Sequence, residues 1–316
     1  MQNTSCQPCC DAPPLRRVTV LGKELLLKDY ICSADGVHYA CKPEQIKTQL
    51  SICPTDFCAA SCFFCIAKNI RSTARIDLKK LEYVLRRLKD ENIVRGVSIT
   101  GGEPFTDVKL LDETITLVFD VLGQGTEISL NTNGFALHRM HELRGLERLD
   151  ALHISRHHDD DEINNHMFGM KMPGHEELRR ILRSVSYRDL FVLNCLLLKG
   201  GIATPEDAHR FLDFAIDVGA GKVSFITPTP VNDDVAVRRV DYSQVLRPDD
   251  PALLFTRGYT DYGFCRCQDG VYASKDGQII EFYGRCTTPA DCHYCRGFVY
   301  GADNHLRIGF GGEIIL

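Results

Sequence analysis

Between residues 48 and 227 the chain alternates short apolar runs with longer stretches whose apolar residues recur every three or four positions. The runs predict strands over 50–53, 94–100, 126–131, 149–155, 190–198 and 222–227. Between them, Leu81, Val84, Leu85 and Leu88 form one helical stripe, and Leu111, Ile115, Val118 and Leu122 a second. Ala208, Phe211, Leu212, Ala215 and Val218 form another, which "TPED" opens: Thr204 can cap, Pro205 suits the first turn and Asp207 sits third. Strand and helix alternating six times with short connections predict a parallel α/β sheet with right-handed crossovers. Six units are too few for a closed eight-stranded barrel, so the expected core is a partial (βα)6 barrel with its chemistry at the C-terminal strand ends.

The rhythm fails on both flanks. Residues 1–15 carry Cys6, Cys9 and Cys10 among polar residues and prolines and read as a tail. "VTVLGKELLLKDY" and "VHYAC" read as short strands around a "SADG" turn, and Cys32 and Cys41 are given no role. Beyond 255 the chain is rich in Gly, Tyr and Cys. The expected organisation is a tail and β-hairpin extension over 1–45, the partial barrel over 46–255 and a small appended Cys-rich domain over 256–316.

Composition narrows the function. With 316 residues, 44% of them hydrophobic, the chain can bury a substantial core. A net charge of −5 argues against a nucleic-acid or membrane-surface partner. No run approaches the ~18 apolar residues of a membrane span, and no signal-peptide pattern opens the chain, so a cytoplasmic protein is expected. Fifteen cysteines, an odd number gathered at two points with metal-like spacing, favour ligation over a disulfide framework.

The predicted strand ends collect the candidate chemistry. Cys58, Cys62 and Cys65 follow the first strand, "TGGEP" (100–104) ends the second, "NTNG" (131–134) the third and "SRHH" (155–158) the fourth. Asn194 lies within the fifth and Thr227 ends the sixth, so all but Asn194 should rim one mouth. Three cysteines are one short of a structural zinc set. A cubane iron–sulfur cluster takes one thiolate per iron, and three thiolates leave an iron open to chelate a small molecule.

The spacing C-x3-C-x2-C, with Phe64 before the last cysteine and "GGEP" closing the second strand, resembles the radical S-adenosylmethionine (radical SAM) superfamily over roughly 48–227. The resemblance implies a 4Fe-4S cluster on Cys58, Cys62 and Cys65, with SAM chelating the open iron. An electron from a donor such as flavodoxin or ferredoxin would split SAM into methionine and a 5′-deoxyadenosyl radical, which would take hydrogen from a substrate C–H bond. Thr100, Gly101, Gly102 and Glu103 would hold the methionyl ammonium, and the Phe64 backbone would meet the adenine. Asn131 or Asn133 would serve the ribose, Ser155 and Arg156 the carboxylate, with Asn194 and Thr227 near the ribose and adenine. Apart from Ser155 and Arg156, "HISRHHDDDE" reads as a polar, solvated loop rather than a metal site.

The second cysteine group, Cys267, Cys286, Cys292 and Cys295, would fit a zinc ribbon by spacing alone. Beside a radical SAM core it resembles the twitch and SPASM domains that carry an auxiliary 4Fe-4S cluster, and "SKDGQI" is similar to a stretch of the GTP 3′,8-cyclase family. Cys265 or Cys267 is then spare, and a spare Cys265 could donate hydrogen to a substrate radical. The expected substrate is a small molecule, a sugar, aminoglycoside or nucleotide, because too few residues precede the first strand for a leader-binding module. A peptide substrate is the alternative, and a non-catalytic zinc scaffold a remoter one.

Overall fold

The computed structural model describes residues 15–28, 30–32, 38–40, 47–67, 72–186, 188–246, 250–256, 272–283, 295 and 297–316. Two hairpins come first: β1 (Leu15–Val20) with β2 (Lys23–Lys28), and β3 (Tyr30–Cys32) with β4 (His38–Ala40). Six strands follow: β5 (Thr48–Ile52), β6 (Val94–Ile99), β7 (Glu127–Thr132), β8 (Ala151–Ser155), β9 (Phe191–Leu196) and β10 (Lys222–Ile226). They lie side by side in chain order, every pair parallel. This is the mixed α/β fold with a mostly parallel sheet that the sequence periodicity predicts.

Helices α1 (Leu78–Asp90), α2 (Val108–Leu122), α3 (Asp161–Phe168), α4 (His175–Arg183) and α5 (Pro205–Val218) fill the crossovers. Two short helices, α6 (Asp233–Arg238) and α7 (Tyr242–Val245), follow β10. The predicted stripes bury themselves: Leu81, Leu85, Leu111, Ile115, Phe211 and Ala215 are inaccessible and share one core with Leu50, Val97, Leu130 and Phe225. The Thr204 hydroxyl accepts from the Asp207 N–H and the Asp207 carboxylate accepts from the Thr204 N–H, a reciprocal cap at the start of α5.

Alternation along each strand sends the other residues to the opposite, concave face. There polar side chains gather in pairs, beside apolar Val192 and Leu196 on β9. Asn131 donates to Ser98 Oγ at 2.9 Å, His153 Nδ1 lies 3.2 Å from Asn194 Oδ1, and Ser224 donates to Glu281 Oε2 at 3.1 Å. A closed barrel would fill this face with branched apolar residues; here a hydrogen-bonding band crosses it from β6 to β13 (Gln278–Tyr283).

Two departures from the sequence expectation matter. The β7–β8 crossover is two 3-10 segments, Leu137–Glu142 and Leu146–Arg148, instead of the α-helix expected in the third unit. Gly145 breaks the run, its N–H held by buried Asp112 at 3.0 Å. The stretch expected as an appended domain, moreover, supplies strands to both edges of the main sheet. β11 (Leu254–Thr256), β12 (Tyr272–Lys275) and β13 extend it beyond β10, while β14 (Gly297–Tyr300) pairs in parallel with β5 and carries β15 (Leu306–Ile308). Long-range pairing of this kind leaves no mark on local periodicity. Cys6, Cys9, Cys10, Cys41, Cys265, Cys267, Cys286 and Cys292 lie outside the described residues.

Candidate functional site

The three-cysteine loop leaves β5 at its C-terminal end and is laced to the end of β6. Thr100 donates its N–H to Ile52 O, Gly102 to Thr55 O and Glu103 to Phe57 O, at 2.7–2.8 Å. Glycine is required for this approach. Gly101 has φ +115° and Gly102 stands so close that a Cβ there would fall 2.3 Å from Phe57 O. The glycines that the sequence reading assigned to SAM therefore serve first to seat the cysteine loop.

Glu103 is buried, and its carboxylate accepts from Thr132 Oγ1 (2.7 Å), Asn133 N (2.7 Å) and Phe105 N (3.1 Å). Burial pushes its pKa up, against those three donors. Its side chain thus fastens "NTNG" beside "GGEP". Asn133, so placed, directs its amide at Cys58 Sγ at 3.7 Å. Cys58 is exposed, while Cys62 and Cys65 are half-buried.

The match to a family model decides what this loop belongs to: the radical SAM superfamily model matches residues 52–234, more than half of the chain. The chain is a member of the radical SAM superfamily. No curated protein matches it in sequence. Among solved structures it is similar to Streptococcus suis SuiB bound to precursor peptide SuiA (16% identity, TM-score 0.56, 82% of this chain, 58% of SuiB). It is likewise similar to SuiB bound to S-adenosylmethionine (16%, 0.52, 85% and 62%). A radical SAM methyltransferase from Sphaerobacter thermophilus matches at 17% identity and TM-score 0.47, over 70% of each chain. The chain spans about three-fifths of SuiB's length. Radical SAM membership implies an enzyme that uses SAM and a 4Fe-4S cluster.

The cysteine loop fits such a cluster by its donor set. Partial desolvation, with Glu103 and Cys65 nearby, pushes the Cys58 thiol up, and burial beside Cys65 and Cys58 pushes the Cys62 thiol to about 12. Thiolates that resist forming beside one another are stabilised by a bound cation. Among the described residues no three His, Cys, Asp or Glu side chains converge as a single metal ion would need.

Other radical SAM contacts expected from sequence are spread unevenly. Asn131 and Asn194 lie on the concave band, and Ser155 pairs with Asn194 in register. Thr227 is buried and donates to Val240 O at 3.3 Å, so its hydroxyl faces the α6–α7 connection. Arg156 is a correction. The guanidinium, 2% exposed, donates to the carbonyls of His158, Pro173 and Asp159 and to Asp161, all within 3.1 Å, above the ring of Phe214. It has no fork left for a SAM carboxylate. His157 and His158 are buried with it, so "SRHH" is core rather than a solvated loop. Its polarity hid this, because the acceptors that satisfy Arg156 are mostly backbone carbonyls.

Of the second cysteine group, Cys295 is the member among the described residues. It is buried against the hairpin, its N–H bonded to Leu26 O at 2.8 Å and its thiol 3.6 Å from Gly297 O, and burial pushes the thiol to about 11. Residues that sequence reasoning missed hold the cysteine loop from behind. Phe168 O accepts the Ser61 N–H at 2.9 Å, Asn232 donates to Phe63 O at 2.9 Å, and His157 packs edge-on to Phe64 with ring centroids 4.8 Å apart. Only the pairing of Phe63 and Phe64 in "CFFC" signalled that the loop needs an apolar backing.

Proposed function

We propose that the chain cleaves SAM reductively and abstracts hydrogen from a C–H bond of a polar small molecule of sugar, aminoglycoside or nucleotide type. The supporting observation is the concave face. Ser98, Asn131, His153, Asn194, Ser224 and Glu281 offer donors and acceptors where an apolar substrate would meet branched side chains. Burial holds His153 below its ordinary pKa range, so it presents a neutral ring that can both donate and accept.

In this reading Cys58, Cys62 and Cys65 hold the cluster, the backbone of Gly101 and Gly102 borders the amino-acid end of SAM, and Phe64 borders the adenine. The cluster and SAM, when bound, supply a hydrogen-abstracting radical; the chain orients and shields the reacting partners. Ser155, with Asn131 or Asn133, offers hydrogen bonds to SAM. An auxiliary cluster on Cys267, Cys286 and Cys292 belongs to the proposal, with Cys295 its weakest member because of its core position. Cys265 remains the proposed hydrogen donor, and a flavodoxin or ferredoxin the electron donor. A peptide substrate is the second reading, favoured by the similarity to SuiB with its precursor peptide.

The test is anaerobic reconstitution of wild type and of the Cys58→Ala, Cys62→Ala, Cys65→Ala triple variant. The readouts are iron content and 5′-deoxyadenosine formed with dithionite and SAM. The expected result is loss of about four irons and of all SAM cleavage in the variant, with a second set of about four retained if the auxiliary cluster exists. Zinc in place of iron in the wild type sinks the reading. Adding polar small-molecule or peptide fractions and following 5′-deoxyadenosine above background separates the two substrate classes.

A further inference from the structure

Three aromatic rings stand in contact behind the cysteine loop. His157 stacks on Phe168 at 5.0 Å and 12°, and meets Phe64 edge-on at 90°. Phe64 also meets Phe168 edge-on at 6.3 Å. The same His157 accepts the backbone N–H of Leu196, at the end of β9, on Nδ1 at 3.3 Å. The last residue of α3 and its cap are the loop's other anchor. Phe168 O holds the Ser61 N–H, and a Cβ on Gly169, which has φ +65°, would fall 2.1 Å from Ser61 Oγ.

We infer that His157 is a positioning residue of the cysteine loop, tying Phe64, and through it Cys65, to the ends of β8 and β9. The inference rests on the radical SAM reading only for what the loop holds. A phenyl ring at 157 would stack but leave the Leu196 N–H unmet, while an aliphatic amide would meet the N–H but not stack. Histidine does both. Burial and the nearby Arg156 charge lower its pKa to about 3, so the ring is neutral and keeps its acceptor. The residue touches no reacting group; it acts through Phe64.

The test uses metal-free full-length protein and iodoacetamide, with alkylation of Cys58, Cys62 and Cys65 followed separately by peptide mass spectrometry. In His157→Ala, Cys65 and Cys62 should react about fivefold faster while exposed Cys58 changes less than about twofold. His157→Phe and His157→Gln should each fall between wild type and His157→Ala. Phe64→Leu should raise the same rates, and the double variant Phe64→Leu/His157→Ala should add little to either single change, because both break one linkage. After reconstitution, the SAM-induced change in the electron paramagnetic resonance spectrum of the reduced cluster should weaken in His157→Ala. The inference fails if all three cysteines accelerate together, if His157→Phe matches wild type, or if the two substitutions act additively. A wild type that binds no iron defeats the radical SAM reading and leaves the alkylation result to decide this one.

Discussion

The loops that follow β5 and β8 sit at the same end of neighbouring parts of one sheet, yet they treat their polar side chains in opposite ways. The loop after β5 leaves Cys58 exposed and two more cysteines half-open, and its backbone carbonyls accept from the end of β6 while the Ser61 N–H is held by α3. The loop after β8 buries an arginine and two histidines; carbonyls of His158, Asp159 and Pro173 satisfy the arginine, and His157 accepts from Leu196 on β9. One presents chemistry and the other supports it. The difference teaches that residue type alone does not mark a site: the charged stretch is the scaffold, and the lightly apolar one is the reactive face.

The largest effect expected from this contrast is on stability. Arg156→Met removes the donor to three carbonyls and to Asp161, and should cost roughly 3 kcal/mol in a urea melt. The Cys58 alkylation rate should stay near wild type while the protein remains folded. Parallel loss of loop structure at low denaturant would erase the distinction between the loops.

Gly102→Ala should act in the reverse sense. The new methyl group meets Phe57 O, which must shift, at a cost of about 1–3 kcal/mol. The displacement should cut iron retention far more than the melt suggests. Ordinary iron loading in this variant would separate the glycine from the cysteine loop.

A pH titration sharpens the buried side. His157 has a folded pKa of about 3, below the ordinary 6.5, so its contribution is complete above 6.5 and is lost as pH falls toward 3. The slope it adds is at most roughly 1.4 kcal/mol per pH unit. Wild type should show it and His157→Phe should lack it, by urea melts across that range. The smallest effect is expected at the open loop: Asn133→Ala should change stability by less than about 0.5 kcal/mol. Its mark should be a modest change in Cys58 reactivity, since the lost amide lies against that sulfur.

The sequence was most legible where local rules decide. All six parallel strands and the capping box of α5 are where periodicity and "TPED" put them. The cysteine spacing and "GGEP" pointed to the family before any contact was known. What escaped was decided at long range. The carbonyls that consume Arg156 come from His158, Asp159 and Pro173, and a backbone acceptor has no letter in the sequence. The strands that complete the sheet beyond β5 and β10, β14 and β13, pair with partners that lie far away in the chain.

The parallel pairing of β14 with β5 sets an order of events in biosynthesis. Gly297 sits opposite Gln49 and Tyr300 opposite Ile52, and the Cys53 N–H, five residues before Cys58, the first proposed cluster ligand, is held by Tyr300 O. During translation β5 emerges early and must keep an open hydrogen-bonding edge until β14 has been made. The loop proposed to hold the cluster therefore grows from a strand whose outer side is completed late. Metal delivery before that moment would meet a half-anchored site, so productive loading belongs after β14 has docked.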